Sequence, residues 1–288
     1  MPPPAPPPTK RPPKPPRGVS APKSQPAGPV VTPTLQMRSG VFQPPRVVLN
    51  AVEGWGKTSC GAYAPKPAVI MARGETGYDT LLGVGRVPYV DATVVETWPA
   101  LLALLDELLL QEKLPYETLV FDALGGIERL CHEEVCRRDF KGLWDDKGFL
   151  AYHKGYDVAV TDWIQFLARL EKLSGKGLAI LLLGHTLVKP HRNPEGEDFD
   201  RYVCSVHPKT WNSTHQWADA VLFGSFLQVV DDSGTRKRGI GGYDRIINCT
   251  RRDLFDAKNR YGMPDEIEIP DDPAVIWSTI YGHIRQEA

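Results

Sequence analysis

Acidic residues are missing from the first 46 positions of this 288-residue chain, which carry Lys10, Arg11, Lys14, Arg17, Lys23, Arg38 and Arg46 instead. The formal net charge is −1, so this +7 leaves −8 on residues 47–288. An acidic body does not attract nucleic acid through its mean field, and any such binding has to come from local basic loops or from the basic segment. Paired cysteines are also missing: Cys60, Cys131, Cys136, Cys204 and Cys249 form no CxxC, and their odd number argues against a disulfide framework. Cys131, His132 and Cys136 fit no common zinc spacing and lack a second ligand pair, so they read as helix residues. No apolar run is long enough to span a bilayer, and no hydrophobic signal segment opens the sequence. The expectation is a cytoplasmic protein with reduced thiols and no membrane partner.

Proline is the residue in excess, and sixteen of the 27 lie between Pro2 and Pro45. Proline has a fixed φ and no backbone donor, so residues 1–45 are expected to stay a disordered, solvated arm that samples polyproline II. Such an arm suits a tether, and it could also dock to a proline-binding partner protein or attract nucleic acid weakly.

After Pro45 strands and helices alternate. Arg46–Asn50, Ala68–Ala72, Ala92–Glu96, Thr118–Asp122 and Leu178–Leu183 read as strands, the last apolar throughout as in a strand buried on both faces. Helices are expected from Thr58, over Pro99–Gln111, and over Trp163–Leu173 with Ile164, Leu167, Leu170 and Leu173 inward. That alternation predicts an α/β domain over 46–270 with a mostly parallel sheet flanked by helices. Ala220–Phe223, Leu227–Val230 and Arg245–Cys249 read as further strands, with Asp231–Gly242 as a glycine-rich hairpin loop. Asp272 and Pro273 open a final helix over 271–288.

The chemistry begins at Ala51-Val52-Glu53-Gly54-Trp55-Gly56-Lys57-Thr58, a P-loop between a strand and a helix. Ala51 stands where the strict motif has glycine. Gly54 and Gly56 let backbone N–H groups face a phosphate, and Glu53, Trp55 and Ser59 complete the nucleotide-binding segment. Lys57 reaches the β- and γ-phosphates of ATP, and the Thr58 hydroxyl coordinates Mg²⁺, with Ser59 as the substitute. Asp122, at the end of Leu119-Val120-Phe121, is the partner carboxylate for Mg²⁺; a strand-terminal helix cap is the plainer reading. Glu75 after the second strand is the candidate for orienting the attacking water, ahead of Glu96. His185 at the end of LAILLLGH is a candidate γ-phosphate sensor, or a structural histidine.

The series AVEGWGKTS, MARGE, LVFDALGGIERL and ILLLGH resembles the RecA-like ATPase core in order and spacing. With HEEVCRRDF, KGYDVAVTDW, NPEGEDFDRY, WADAVLF and DAKNRYGMPDEIEIP, residues 46–270 resemble a family of phage and prophage AAA-type nucleotide-binding proteins, some of which are RecA-like single-strand annealing proteins. That resemblance implies a RecA-like fold, ATP hydrolysis, a homo-oligomer and a bacterial or phage-infected cytoplasm. It implies that Lys258 and Arg260 form a K-x-R pair that reaches the γ-phosphate of a neighbouring subunit. It also implies single-stranded DNA as a partner, bound by Arg137–Tyr156, where aromatics alternate with cations, or by Thr186–Tyr202. Neither loop is strongly basic. Two other readings stay open: a small-molecule or nucleotide kinase with Arg236–Gly242 as a lid, and a nucleotide-gated interaction protein with little turnover.

Overall fold

The computed structural model describes residues 40, 42–194, 196–231 and 238–286. The proline-rich segment and the tip of the Asp231–Gly242 connection, together with part of the lid proposed for a kinase, therefore lie outside the described residues, as does Glu195.

The chain runs β1 (Arg46–Ala51), α1 (Lys57–Ala62), β2 (Pro67–Ala72), α2 (Gly77–Gly83), β3 (Asp91–Val95), α3 (Trp98–Leu110), β4 (Thr118–Asp122), α4 (Leu124–Asp139), α5 (Lys154–Gly175), β5 (Ala179–His191) and β6 (Phe199–Cys204). It continues through α6 (Pro208–Trp217), β7 (Ala220–Asp231), β8 (Arg238–Asn248), β9 (Lys258–Asn259), β10 (Glu266–Ile269) and α7 (Ile276–Arg285). The sheet order is β10-β8-β7-β1-β5-β4-β2-β3, with β6 on β5 and β9 on β7. From β7 across to β3 every neighbouring pair is parallel, and β8 and β10 extend one edge antiparallel. Because β5 is inserted between the P-loop strand β1 and the carboxylate strand β4, one strand separates the two halves of the expected site. This is the RecA-like arrangement of a P-loop fold.

Alternation along the strands assigns each side chain to a layer. Val48, Ile180, Leu182 and Phe121 face α3, α4 and α5, whose Leu101, Leu105, Ile127, Trp163, Phe166 and Leu170 fill that side. Val47, Leu49, Leu181 and Leu183 face the other side, closed by α1, α2 and α7 through Cys60, Tyr78, Ile276, Trp277 and Ile280. The last helix thus belongs to the core of the sheet. Asp272 Oδ1 accepts from the Ala274 N–H at 2.9 Å, and Pro273 opens a short 3₁₀ turn that runs into α7.

Several boundaries differ from the sequence expectation. The helix expected over Trp163–Leu173 extends over Lys154–Gly175, and its buried seam is Ala159, Trp163, Phe166, Leu167, Leu170 and Leu173. Ile164 is 52% exposed, because at 100° per residue it falls one step off that seam. Thr186–Tyr202 is largely an antiparallel ribbon: β5 continues past the sheet to His191 and pairs back with β6 in the register Thr186↔Cys204 to His191↔Phe199. The segments around Leu227–Val230 form one long strand with Ala220–Phe223, bent by an irregularity between Phe226 and Gln228.

Candidate nucleotide site

The parallel strands β1, β4 and β5 end at one edge of the sheet, and the expected functional groups gather there. Ala51 is in register with His185 on β5, and Asp122 with Leu183. Between β1 and α1 the loop turns on Gly54 (φ 73°) and Gly56 (φ 108°), left-handed values that strain any residue with a Cβ. Lys57 is buried, and its Nζ donates to the carbonyls of Ala51 at 2.8 Å and Val52 at 3.1 Å. Burial pulls the Lys57 ammonium below its ordinary pKa, while Asp122 and Glu53 pull it back up.

The Thr58 hydroxyl donates to Asp122 Oδ2 at 2.7 Å. Burial raises the Asp122 carboxyl above its ordinary range, against the Thr58 bond and the charges of His185 and Lys57. Glu75 is raised by burial and then by the neighbouring Asp122, with His185 and the backbone N–H of Ala123 acting the other way. Two glycines make the room. A Cβ on Gly126 would lie 3.2 Å from Glu75 Oε1, and one on Gly77 would lie 3.2 Å from Thr58 Oγ1. Two crowded carboxylates with raised pKa beside a threonine hydroxyl form an oxygen donor set suited to a hard divalent cation. Thr58 and Asp122 would hold Mg²⁺ there.

A cavity of about 720 Å³ lies over the P-loop. Glu53, Gly54, Gly56, Lys57, Thr58, Ser59 and His185 line it, as expected from sequence. Trp55 does not. Its indole is fully buried in the other direction, and Nε1 donates to the carbonyls of Ser225 at 3.2 Å and Ile246 at 3.3 Å. The ring sits over Gly224, where a Cβ would come within 2.7 Å of Trp55 Cε2. Position within the motif does not say where a side chain goes, and this one anchors the loop to β7 and β8.

Lys258 and Arg260 lie elsewhere. Lys258 pairs with Val221 near the start of β7, three residues before Gly224, which pairs with Ala51. Lys258 Nζ donates to the carbonyls of His215, Gln216 and Ala218 and so caps the end of α6. Arg260 donates to Asp219 Oδ1 at 3.1 Å, beside the Arg46–Asp219 pair. Burial would raise the Asp219 carboxyl, but the bonds and charges of Arg46 and Arg260 hold it below its ordinary value. Neither cation of the K-x-R pair shares the P-loop cavity of its own chain.

The segments expected to bind DNA divide likewise. In Arg137–Tyr156, Arg137 is bonded to Glu134 and Arg138 to Asp139 and Asp162. Phe149 is fully buried, and Tyr156 stacks on His207 at 4.0 Å. Trp144, 44% exposed, and Lys141 and Lys147 remain at the surface. On the β5–β6 ribbon Lys189 and Arg192 are exposed beside Leu187 and Val188.

Five cavity residues had no sequence expectation as site residues: Leu81, Arg86, Arg245, Asp271 and Pro273. Arg245 Nε donates to the Trp55 carbonyl at 2.8 Å and NH1 to the Asp271 carbonyl at 3.0 Å, so it ties the loop to the segment before α7. As a single cation in a strand pattern, Arg245 had no signal; only the antiparallel register of β8 brings it to the site.

A profile of the AAA domain family matches residues 43–261. Among solved structures, the chain is similar to the flagellar accessory protein FlaH from Methanocaldococcus jannaschii, with 9% sequence identity, a TM-score of 0.37, and coverage of 78% of this chain and 85% of that one. At that similarity the likeness carries neither substrate nor mechanism. No curated protein matches the sequence. No helix among the described residues is long and apolar enough to cross a membrane.

Proposed function

The chain belongs to the AAA domain family, and we propose that it is a Mg²⁺-dependent ATPase that assembles into oligomers and acts on single-stranded DNA in phage-type recombination or annealing. The observation that carries the hydrolytic reading is the meeting of Lys57, the Thr58–Asp122 pair and Glu75 at one end of the sheet. Lys57 exchanges its two carbonyl partners for phosphate oxygens, a charge-assisted bond stronger than either. Bound Mg²⁺ supplies charge neutralisation at the phosphates. Glu75 orients a water and accepts its proton at the carboxylate, and the burial that raises its pKa makes that carboxylate a better base. His185 faces the same cavity from β5, so its contact depends on what occupies the γ-position.

Support for coupling to a polymer comes from continuity. The ribbon expected to meet DNA is the same strand that carries His185, extended by six residues to His191. Arg260 is the better candidate for reaching a neighbour's phosphate, because Lys258 is held by three carbonyls whereas the Arg260 side chain is 52% exposed. The test is steady-state ATP turnover of the full chain with and without single-stranded DNA, beside Lys57→Ala. Turnover that DNA raises and Lys57→Ala abolishes supports the proposal. ATP binding with turnover indifferent to DNA would move the nucleotide-gated interaction protein ahead.

A further inference from the structure

Gly125 and Gly126, neighbours in the first turn of α4, make close contacts with two different parts of the molecule. A Cβ on Gly126 would lie 3.2 Å from Glu75 Oε1, and one on Gly125 would lie 3.2 Å from the Ser205 carbonyl oxygen. The helix that begins two residues after Asp122 therefore touches both Glu75 and the turn 205–207, which joins β6 to α6. That turn also closes the base of the β5–β6 ribbon, because the Ser205 N–H donates to the His185 carbonyl at 2.8 Å.

One turn further along α4, Glu128 fastens this contact. Its carboxylate is buried, and its two oxygens accept from the His207 N–H at 2.9 and 3.0 Å. His207 is the N-cap of α6, where backbone donors lack helical partners and negative charge is favoured. Burial raises the Glu128 carboxyl above its ordinary range, with Thr210 and the His207 N–H acting the other way. His132 Nε2 lies 3.8 Å from Glu128 Oε1, but burial and then the charge of His207 push its pKa down to about 4, so it supplies no counter-charge near neutrality. Parting Glu128 from the turn would leave a buried carboxylate short of donors, which costs more than the bond itself contributes. The start of α4 and the base of the ribbon are thus held as one body.

We infer that Glu128 is a positioning residue: it makes the base of the β5–β6 ribbon move with the start of α4, so that a ligand drawing on Asp122 and Glu75 acts on the ribbon through α4 and not only along β5. This role rests on the nucleotide reading above and holds whatever the ribbon binds.

The test is amide hydrogen exchange of the paired strands Thr186–His191 and Phe199–Cys204 in the full chain, alone and saturated with Mg²⁺ and a non-hydrolysable ATP analogue. In the unaltered protein the analogue is expected to change ribbon exchange by about 5- to 150-fold, the span of a coupling between two sites. Glu128→Gln keeps the shape of the side chain and removes its charge; it should bind the analogue as the unaltered chain does and bring the ribbon response below about twofold. His207→Pro reaches the same bond from the other side, since its φ of −64° already suits proline and the backbone donor is removed. It should show the same loss. A merely structural Glu128 would shift exchange equally with and without the analogue and leave the response intact. That outcome in both variants would overturn the inference, as would an unaltered chain that binds the analogue with no ribbon response. Loss of analogue binding in the variants alone would overturn it too, because Glu128 would then support the nucleotide site itself. An unaltered chain that binds no analogue is a different result: it removes the nucleotide reading, and the coupling with it.

Discussion

Thr58 and Asp122 are joined by a 2.7 Å hydrogen bond that links the start of α1 to the tip of β4, across the intervening strand β5. The bond gives one oxygen of a buried carboxylate a donor and leaves the other to the site. Asp122→Asn should therefore keep the fold and lose most Mg²⁺-dependent nucleotide affinity. Titration of ATP with and without Mg²⁺ checks this: the variant should respond to the metal at least about tenfold less.

The raised carboxyls make stability depend on pH with a definite sign. Asp122 and Glu75 both have folded pKa values above their unfolded ones. The stability they contribute is full below the unfolded pKa and is lost as pH rises through the folded pKa. Melting of the nucleotide-free chain across that interval should show Asp122→Asn gaining on the unaltered protein as pH rises. A constant difference would count against burial as the cause of the shift.

Glu75→Gln should bind Mg²⁺-ATP as well as the unaltered chain and hydrolyse it about 10²- to 10⁴-fold more slowly. In the unaltered protein, turnover should fall as pH drops through a pKa above the ordinary carboxylate range, because Glu75 must be ionised to accept the proton. Single-turnover rates over the acid range measure both.

Trp55→Ala removes a fully buried indole with two carbonyl partners and is expected to cost about 3–5 kcal/mol in urea unfolding. Gly224→Ala acts on the same contact from the other side, since its Cβ would overlap the ring. Both variants should also weaken tripolyphosphate binding, because the ring fixes the loop that presents the backbone N–H groups.

Two of the aromatics in the Arg137–Tyr156 segment, Trp144 and Phe149, should separate cleanly. Trp144→Ala is expected to weaken single-stranded DNA binding by about 1–3 kcal/mol, the range for a base-stacking residue. Phe149→Leu should lower the melting temperature and leave DNA affinity alone, since Phe149 is buried beneath Trp144 at a ring separation of 4.7 Å. Fluorescence anisotropy with a labelled oligonucleotide decides.

What the sequence made legible was chemistry that stays local to strand tips. Lys57, Thr58, Asp122, Glu75 and His185 each follow an apolar strand, and a parallel sheet brings such tips to one edge. The Trp55 indole turns away from the cavity, which the motif did not reveal because it fixes backbone shape and not the direction of each side chain. The ribbon over Thr186–Tyr202 was hidden because most of its residues are exposed, so the polarity of its second strand looks like that of a loop. Arg86, Arg245 and Pro273 were invisible for a different reason. They meet only through tertiary register, and no spacing within the chain encodes that meeting.

The contact between Ile276 and the P-loop has a consequence for the order of events during synthesis. A Cβ on Gly56 would lie 3.4 Å from Ile276 Cδ1, so α7 abuts the loop itself. Every strand of the sheet is translated before Ile276. A nascent chain with all its strands emerged thus still lacks Asp271 and Pro273, one wall of the cavity. A ligand that touches that wall adds its full stabilisation only to a chain whose last segment has docked.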